Sequence, residues 1–238
     1  MKHNLIAFAL VGLVVLAAGV SVGALLRHEP HFYRQATIPP GELRKQRSRE
    51  FQAACVQLMD YVINQERQWQ VELTADQINS YLDEDFARNG KTVETLPEGI
   101  SEPRVAIEPD RIRLAFRWEL LAGFSTVVAI DICPWLPTNE PNVVALKIQS
   151  VHLGALPVTT QSLLERISEV ARRRDVDVTW YRHQGQPVAL LRFEADQKRP
   201  TVQLRQLELH HGRLLVAGAA LPRPTRDTVD ARPVIRLN

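Results

Sequence analysis

The chain has 238 residues, with 29 Lys plus Arg against 27 Asp plus Glu and a formal charge of only +2. With 45% apolar and 24% charged residues it is neither disordered nor low-complexity, and its balanced charge excludes wholesale electrostatic capture of nucleic acid. Two cysteines, Cys55 and Cys133, are too few for a disulfide-built mini-protein or a zinc site of four thiolates.

The strongest signal comes first in the chain. Residues Leu5 to Leu26 contain no charge, and Ser21 is the one conventional polar side chain among them. As a helix this run is roughly 33 Å long, enough for a hydrocarbon core of ~30 Å, and it has no polar face of the kind a surface helix carries. A cleaved secretory signal is the rival, with Lys2 before the run and Ser21-Val22-Gly23 as a tolerable cleavage site. The length favours an uncleaved signal-anchor at 1–27. Positive charge flanks it evenly, Lys2 and the α-amino group before and Arg27 and Arg34 after, so the positive-inside count is close to a tie. A short tail before a first apolar segment commonly inserts tail-in. The expectation is therefore a single-pass cell-membrane protein with an extracytoplasmic C-terminal domain. His31-Phe32-Tyr33 would put rings near the headgroups, and Gly19 with Gly23 is a small-xxx-small pair suited to close helix approach.

Residues 28–40, with Pro39 and Pro40 and no apolar period, read as a linker, and 41–220 as one extracytoplasmic domain. A helix is expected from about Gly41, with Phe51, Cys55, Leu58, Met59 and Val62 as its apolar face. Its basic start (Arg44, Lys45, Arg47, Arg49) reads as a solvated face, or more sharply as a contact for lipid headgroups. Trp69 to Leu73 alternates as a strand. Thr74 and Gln77 then form a capping box for a helix burying Ile78, Leu82 and Phe86, which stops near Asn89-Gly90.

Beyond residue 100 the period falls to two. Arg104–Ile107 is followed by the turn Glu108-Pro109-Asp110-Arg111, and Ile112 to Leu120 alternates with charge. Gly123 marks a reversal, Val128, Ile130 and Ile132 alternate next, and Pro134, Pro137 and Pro141 predict a loop. Val144 to Leu153 makes a further strand, completing an antiparallel meander with one wet face. Thr160 opens a helix with Leu163, Leu164, Ile167, Val170 and Ala171 on its apolar side, ended by Arg172-Arg173-Arg174. Two hairpins follow, one around Gln184-Gly185 and one around His211-Gly212, and residues 221–238 read as a loose tail. The fold class expected is α+β: one transmembrane helix, then an antiparallel, strongly curved sheet with two or three amphipathic helices.

No catalytic constellation is present. There is no G-x-S-x-G elbow, H-E-x-x-H, Walker loop or G-x-G-x-x-G, and His210 and His211 are adjacent and would point to opposite faces of a strand. The acidic run Asp83-Glu84-Asp85 has no neighbouring acid–base partner in the sequence. The expectation is therefore no enzyme, no cofactor and no metal. Cys55 sits among apolar helix positions, and a Cys55–Cys133 disulfide is open in an oxidising compartment. The apolar pattern is more informative. Phe116 and Trp118, with Trp180 from the later half and Leu156, Leu164 and Ile167 around the helix after Thr160, read either as ordinary core or as a sheet–helix groove for an acyl chain.

The order of elements carries a resemblance. Thr74, Ile78 and Asn79, then Leu153-Gly154 with Leu156-Pro157, and the closing Gly212-Arg213-Leu214 hairpin are similar to YpmS-like membrane-anchored proteins of bacteria, and more distantly to bacterial TULIP-type lipid-binding domains. The resemblance implies an anchored extracytoplasmic domain of long strands around an elongated apolar groove, and supplies no catalytic residue. The expected function is a membrane-anchored binding module for a lipid or other apolar ligand. The alternative is a scaffold of the cell envelope that holds a protein partner and no small molecule.

Overall fold

The computed structural model describes residues 13, 16–86, 99–121, 123–159, 161, 164, 165, 168, 169, 178–192 and 201–221. The expected turn at Asn89-Gly90, most of the helix after Thr160, and the tail from 222 lie outside those residues, as do residues 1–4 and residues 5–12, 14 and 15 of the apolar run. Residues 16–26 are helical. Among the described residues no helix is long and apolar enough to cross a membrane.

The protein is α+β. A short helix α1 (His31–Gln35) leads to the long α2 (Glu42–Ile63), then to strand β1 (Trp69–Thr74) and helix α3 (Ala75–Tyr81). A π-helical turn, Leu82–Phe86, closes this group. Thr74 caps α3 as its sequence predicts: Gln77 N–H donates to Thr74 Oγ1 at 3.1 Å and Thr74 N–H donates to Gln77 Oε1 at 3.0 Å.

The meander follows as β2 (Ile100–Glu108), β3 (Arg111–Leu121), β4 (Phe124–Trp135), β5 (Val143–Leu153) and the short β6 (Leu156–Pro157). The hairpin β7 (Val178–His183) and β8 (Gln186–Arg192) turns through Gln184 and Gly185, both at positive φ. A last hairpin comprises β9 (Val202–His210) and β10 (Arg213–Ala220). A seven-stranded antiparallel sheet runs in the order β2-β3-β4-β5-β8-β7 with β6 on β5, and a three-stranded sheet runs β1-β10-β9.

Pro134, expected in a loop, lies inside β4 opposite Leu146. It is tolerated because β3 pairs β4 only as far as Ile132, so β4 has already lost one neighbour there. Two buried amides tie the parts together. Asn79 of α3 donates Nδ2–H to Val105 O and accepts Val105 N–H, both at 2.8 Å, so that one side chain continues the ladder along the edge strand β2. Asn142, at φ 57°, donates to Val202 O at 2.5 Å and accepts Leu204 N–H at 2.8 Å, joining the β4–β5 connection to β9. At the far end Gly212 N–H donates to Ile107 O at 2.8 Å and Gly212 O accepts Ala75 N–H at 2.9 Å.

Two expectations about faces are corrected. The meander has no simple wet face: Ala115, Val127 and Ala129 are buried beneath Phe32 and Tyr33, while Val128, Ile130, Ile148 and Val151 form a second cluster on the opposite side. The rings of Phe32 and Tyr33 therefore pack on the sheet and do not reach outward to headgroups. The buried stripe of α2 also sits differently. Arg44, Arg47, Ser48, Phe51, Cys55 and Leu58 are buried or half-buried, whereas Met59 and Val62 are exposed with Val56 and Ile63. The polar buried stripe exists because α2 packs against the acidic turn Leu82–Phe86, whose carboxylates need partners.

Candidate functional site

Alternation along β3 puts Leu114, Phe116 and Trp118 on one face, opposite Ile130, Val128 and Thr126 of β4. Phe116, Trp118, Leu164 and Trp180, four of the expected groove residues, pack against the cluster of Val128, Ile130, Ile148 and Val151. Leu156 is half-buried opposite Leu153, which belongs to the same group. Ile167 lies outside the described residues. Phe116, Trp118 and Trp180 are only half-buried, and Trp180 Nε1 is enclosed without a hydrogen-bond partner among the described residues.

Three clefts of the described surface lie elsewhere. One of about 350 Å³ is lined by Ile100, Ser101, Arg117, Glu119, Phe124 and Ser125. One of about 430 Å³ lies among Arg47, Glu50, Thr74, Asp76 and Gln77, and one of about 380 Å³ among Gln68, Trp69, Arg205 and Gln206. None includes Phe116, Trp118, Leu156, Leu164 or Trp180.

The opposite face of the sheet is covered by Phe32 and Tyr33, and the helix end before them meets the sheet at the start of β4 and the β5–β6 turn. Leu25 O accepts Ala155 N–H at 2.9 Å and Leu26 O accepts Thr126 Oγ1–H at 2.6 Å, so β4 and the β5–β6 turn satisfy carbonyls that a helix end leaves open. Gly154, at φ 60°, makes that approach possible: a Cβ there would lie 2.6 Å from Leu26 O. The Arg27 guanidinium lies 5.7 Å from the Phe124 ring and that of Arg113 lies 4.2 Å from the Phe32 ring. Arg117 donates to Glu29 at 2.6 Å and to Glu102 at 3.3 Å. Tyr33 OH donates to Glu102 O at 3.0 Å, and burial, with the Glu102 charge behind it, pushes the Tyr33 pKa up to about 12. The segment expected to be a linker is thus a docked strap.

The acidic run finds partners that its sequence neighbourhood conceals. Arg44 of α2 reaches Glu84 at 2.6 Å, Arg104 of β2 reaches Asp83 at 2.7 Å, and Arg44 Nη1 also donates to Ile38 O at 3.2 Å. Asp85 accepts from Ser48 and, at 2.7 Å, from Gln52. Arg47 pairs with Asp76 at 2.8 Å and Lys45 with Glu42 at 2.8 Å. Arg44 and Arg47 are therefore spent on acidic partners and the headgroup reading loses them, while Lys45 and Arg49 stay exposed. Both thiols are free, and burial raises both their pKa values, which disfavours the thiolate. Among the described residues no group of three His, Cys, Asp or Glu is placed to hold a metal ion.

No protein-family model, curated protein or solved structure matches the chain. Sequence reasoning passed over the contacts that Thr126, Gly154 and Phe124 make with the end of the N-terminal helix. Their available signal was the glycine in Leu153-Gly154-Ala155-Leu156, a reversal too tight for a side chain.

Proposed function

We propose that this protein is a membrane-anchored, extracytoplasmic binding module. On this reading residues 5–26 cross the bilayer as an uncleaved anchor, and the face bearing Phe116, Trp118 and Trp180 takes a lipid or other apolar ligand. The observation that carries the proposal is that face itself. Large apolar side chains stand there half-buried, beside an indole N–H that the described residues leave without a partner. Exposed Leu13, Leu16, Val20, Val22 and Leu25 on the N-terminal helix support the anchor, since a bilayer would cover them. The likeness to YpmS-like and TULIP-type proteins is consistent with both halves of the reading.

The test is to purify the full chain in mild detergent, identify co-purified lipid by mass spectrometry, and measure uptake of a fluorescent fatty acid. The proposal expects bound lipid and uptake that Phe116→Asp abolishes. An empty protein with no uptake would overturn it. One observation favours a second reading, an envelope scaffold: Val56, Met59 and Ile63 form an exposed apolar stripe on α2. Proximity labelling from Ile63 that recovers one stable protein complex, lost on Met59→Lys, is the outcome that reading requires.

A further inference from the structure

The way the strap is attached fixes the depth of one end of the sheet. Ala155 N–H and Thr126 Oγ1–H bond directly to the carbonyls of Leu25 and Leu26, the last turn of the N-terminal helix. Hydrogen-bonded groups share a depth to within a few ångströms. If that helix spans the bilayer, its last turn lies at the boundary between acyl chains and headgroups, and the groups bonded to it lie there too.

We infer that the β3–β4 reversal and the β5–β6 turn form a rim seated in the headgroup region of a phospholipid bilayer, with Phe124 as its aromatic anchor. The inference rests on the anchor reading above and goes beyond it, because an anchor alone leaves a domain free to tumble on its tether. Phe124 opens β4 two residues before Thr126 and is half-buried, and Arg27 stands over its ring. An aromatic ring beside an arginine just past a helix end is the pairing that favours the interface, where the ring meets acyl carbons and the guanidinium meets phosphate. Ala155 is exposed and Leu156 half-buried on the adjoining turn. The neighbouring cleft, with Ser101, Ser125 and Arg117 in its lining, opens at the same end. Phe32 and Tyr33 cannot serve this role, since the sheet buries both.

The strand geometry supplies an internal control. β3 runs from Arg111 to Leu121, so its other end, with exposed Asp110 in the β2–β3 turn, lies roughly 33 Å away at ~3.3 Å per residue. That end is expected in water. A rim at one end and water at the other holds the long strands at a set tilt, and it brings the Trp118 end of the apolar face next to the bilayer, from which an apolar ligand would reach it without crossing water.

A photoreactive benzophenone amino acid placed singly at Leu16, Phe124, Ala155 or Asp110 of the full chain tests this. Each variant is reconstituted in vesicles of phosphatidylcholine with a minority of phosphatidylglycerol, irradiated, and read by mass spectrometry for covalent lipid. The inference expects adducts at 16, 124 and 155 and their loss at 110. Ala155 is exposed, so it reports even where a change at Phe124 disturbs folding. Adducts at 16 without any at 124 and 155 overturn the rim and leave the anchor standing. No adduct at 16 overturns the anchor reading and the rim with it. Equal labelling at 110 also overturns the rim, since the domain would then meet lipid without a preferred end.

Discussion

On one face of the seven-stranded sheet Ala115, Val127 and Ala129 leave space that Phe32 and Tyr33 fill; on the other, Phe116, Trp118, Val128 and Ile130 occupy the space themselves. The same two strands thus carry a socket on one side and a surface on the other. The socket has its partner in the same chain, a strap that leaves the N-terminal helix and is bolted by Glu29, Tyr33 and the Ile38 carbonyl. The surface of large side chains has Val158, Leu164 and Trp180 packed on it among the described residues. Small residues in the middle of a strand mark a face closed by its own chain. On the function proposed above, large ones left half-buried by the described residues mark a face with area still to bury, and at about 25 cal/mol per Å² that area would supply binding energy.

The comparison can be broken from the closed side first. Arg44→Met should cost about 4 kcal/mol in denaturant unfolding of the full chain, because Glu84 keeps its buried charge without its closest partner and the strap loses a donor at Ile38. Gly154→Val should cost about 3 kcal/mol, since a side chain at positive φ would meet the Leu26 carbonyl. It should also broaden spin-label distances between the helix and the sheet. Ala115→Leu should cost about 2 kcal/mol by pushing out Phe32, an overpacking penalty that the open face lacks. By contrast Phe116→Ser should cost only about 1 kcal/mol in stability while removing most apolar-ligand uptake.

The smallest change sharpens the contrast through pH. Tyr33→Phe should cost about 1 kcal/mol near neutrality, the worth of its hydrogen bond to Glu102 O. The Tyr33 hydroxyl titrates at about 12 in the fold against an ordinary 10.0. Its contribution is therefore complete below pH 10 and lost as pH climbs from 10 towards 12. Ultraviolet titration should find one of the four tyrosines ionising late, and that component should vanish in Tyr33→Phe.

Local patterns were legible in the sequence and remote partnerships were not. The capping box at Thr74, the period-two run of β3, and the turns at Gly123, Gln184-Gly185 and Gly212 follow from rules spanning a few residues, and the structure has them. Arg44 and Glu84 are forty residues apart, and nothing local tells a solvated basic helix start from one buried against an acidic turn. The same holds for Phe32 and Tyr33, whose aromatic-belt reading failed because the socket that takes them is built by small residues eighty positions or more away. Four of the six expected groove residues share one cluster because alternation is a local rule once the strands are known. Leu156 joins its edge through Leu153.

The four tryptophans allow a direct test, because they divide between the regions. Trp118 and Trp180 lie on the open face, whereas Trp135 packs with Val143 and Ala145 and Trp69 lies over Gly218 of the smaller sheet. Titrating the full chain with a brominated fatty acid, whose bromines quench indole emission only on close approach, separates the two pairs. The account predicts saturable quenching in the native chain that disappears in the double variant Trp118→Phe, Trp180→Phe. Quenching that persists unchanged in the double variant, or no saturable quenching at all, would contradict it.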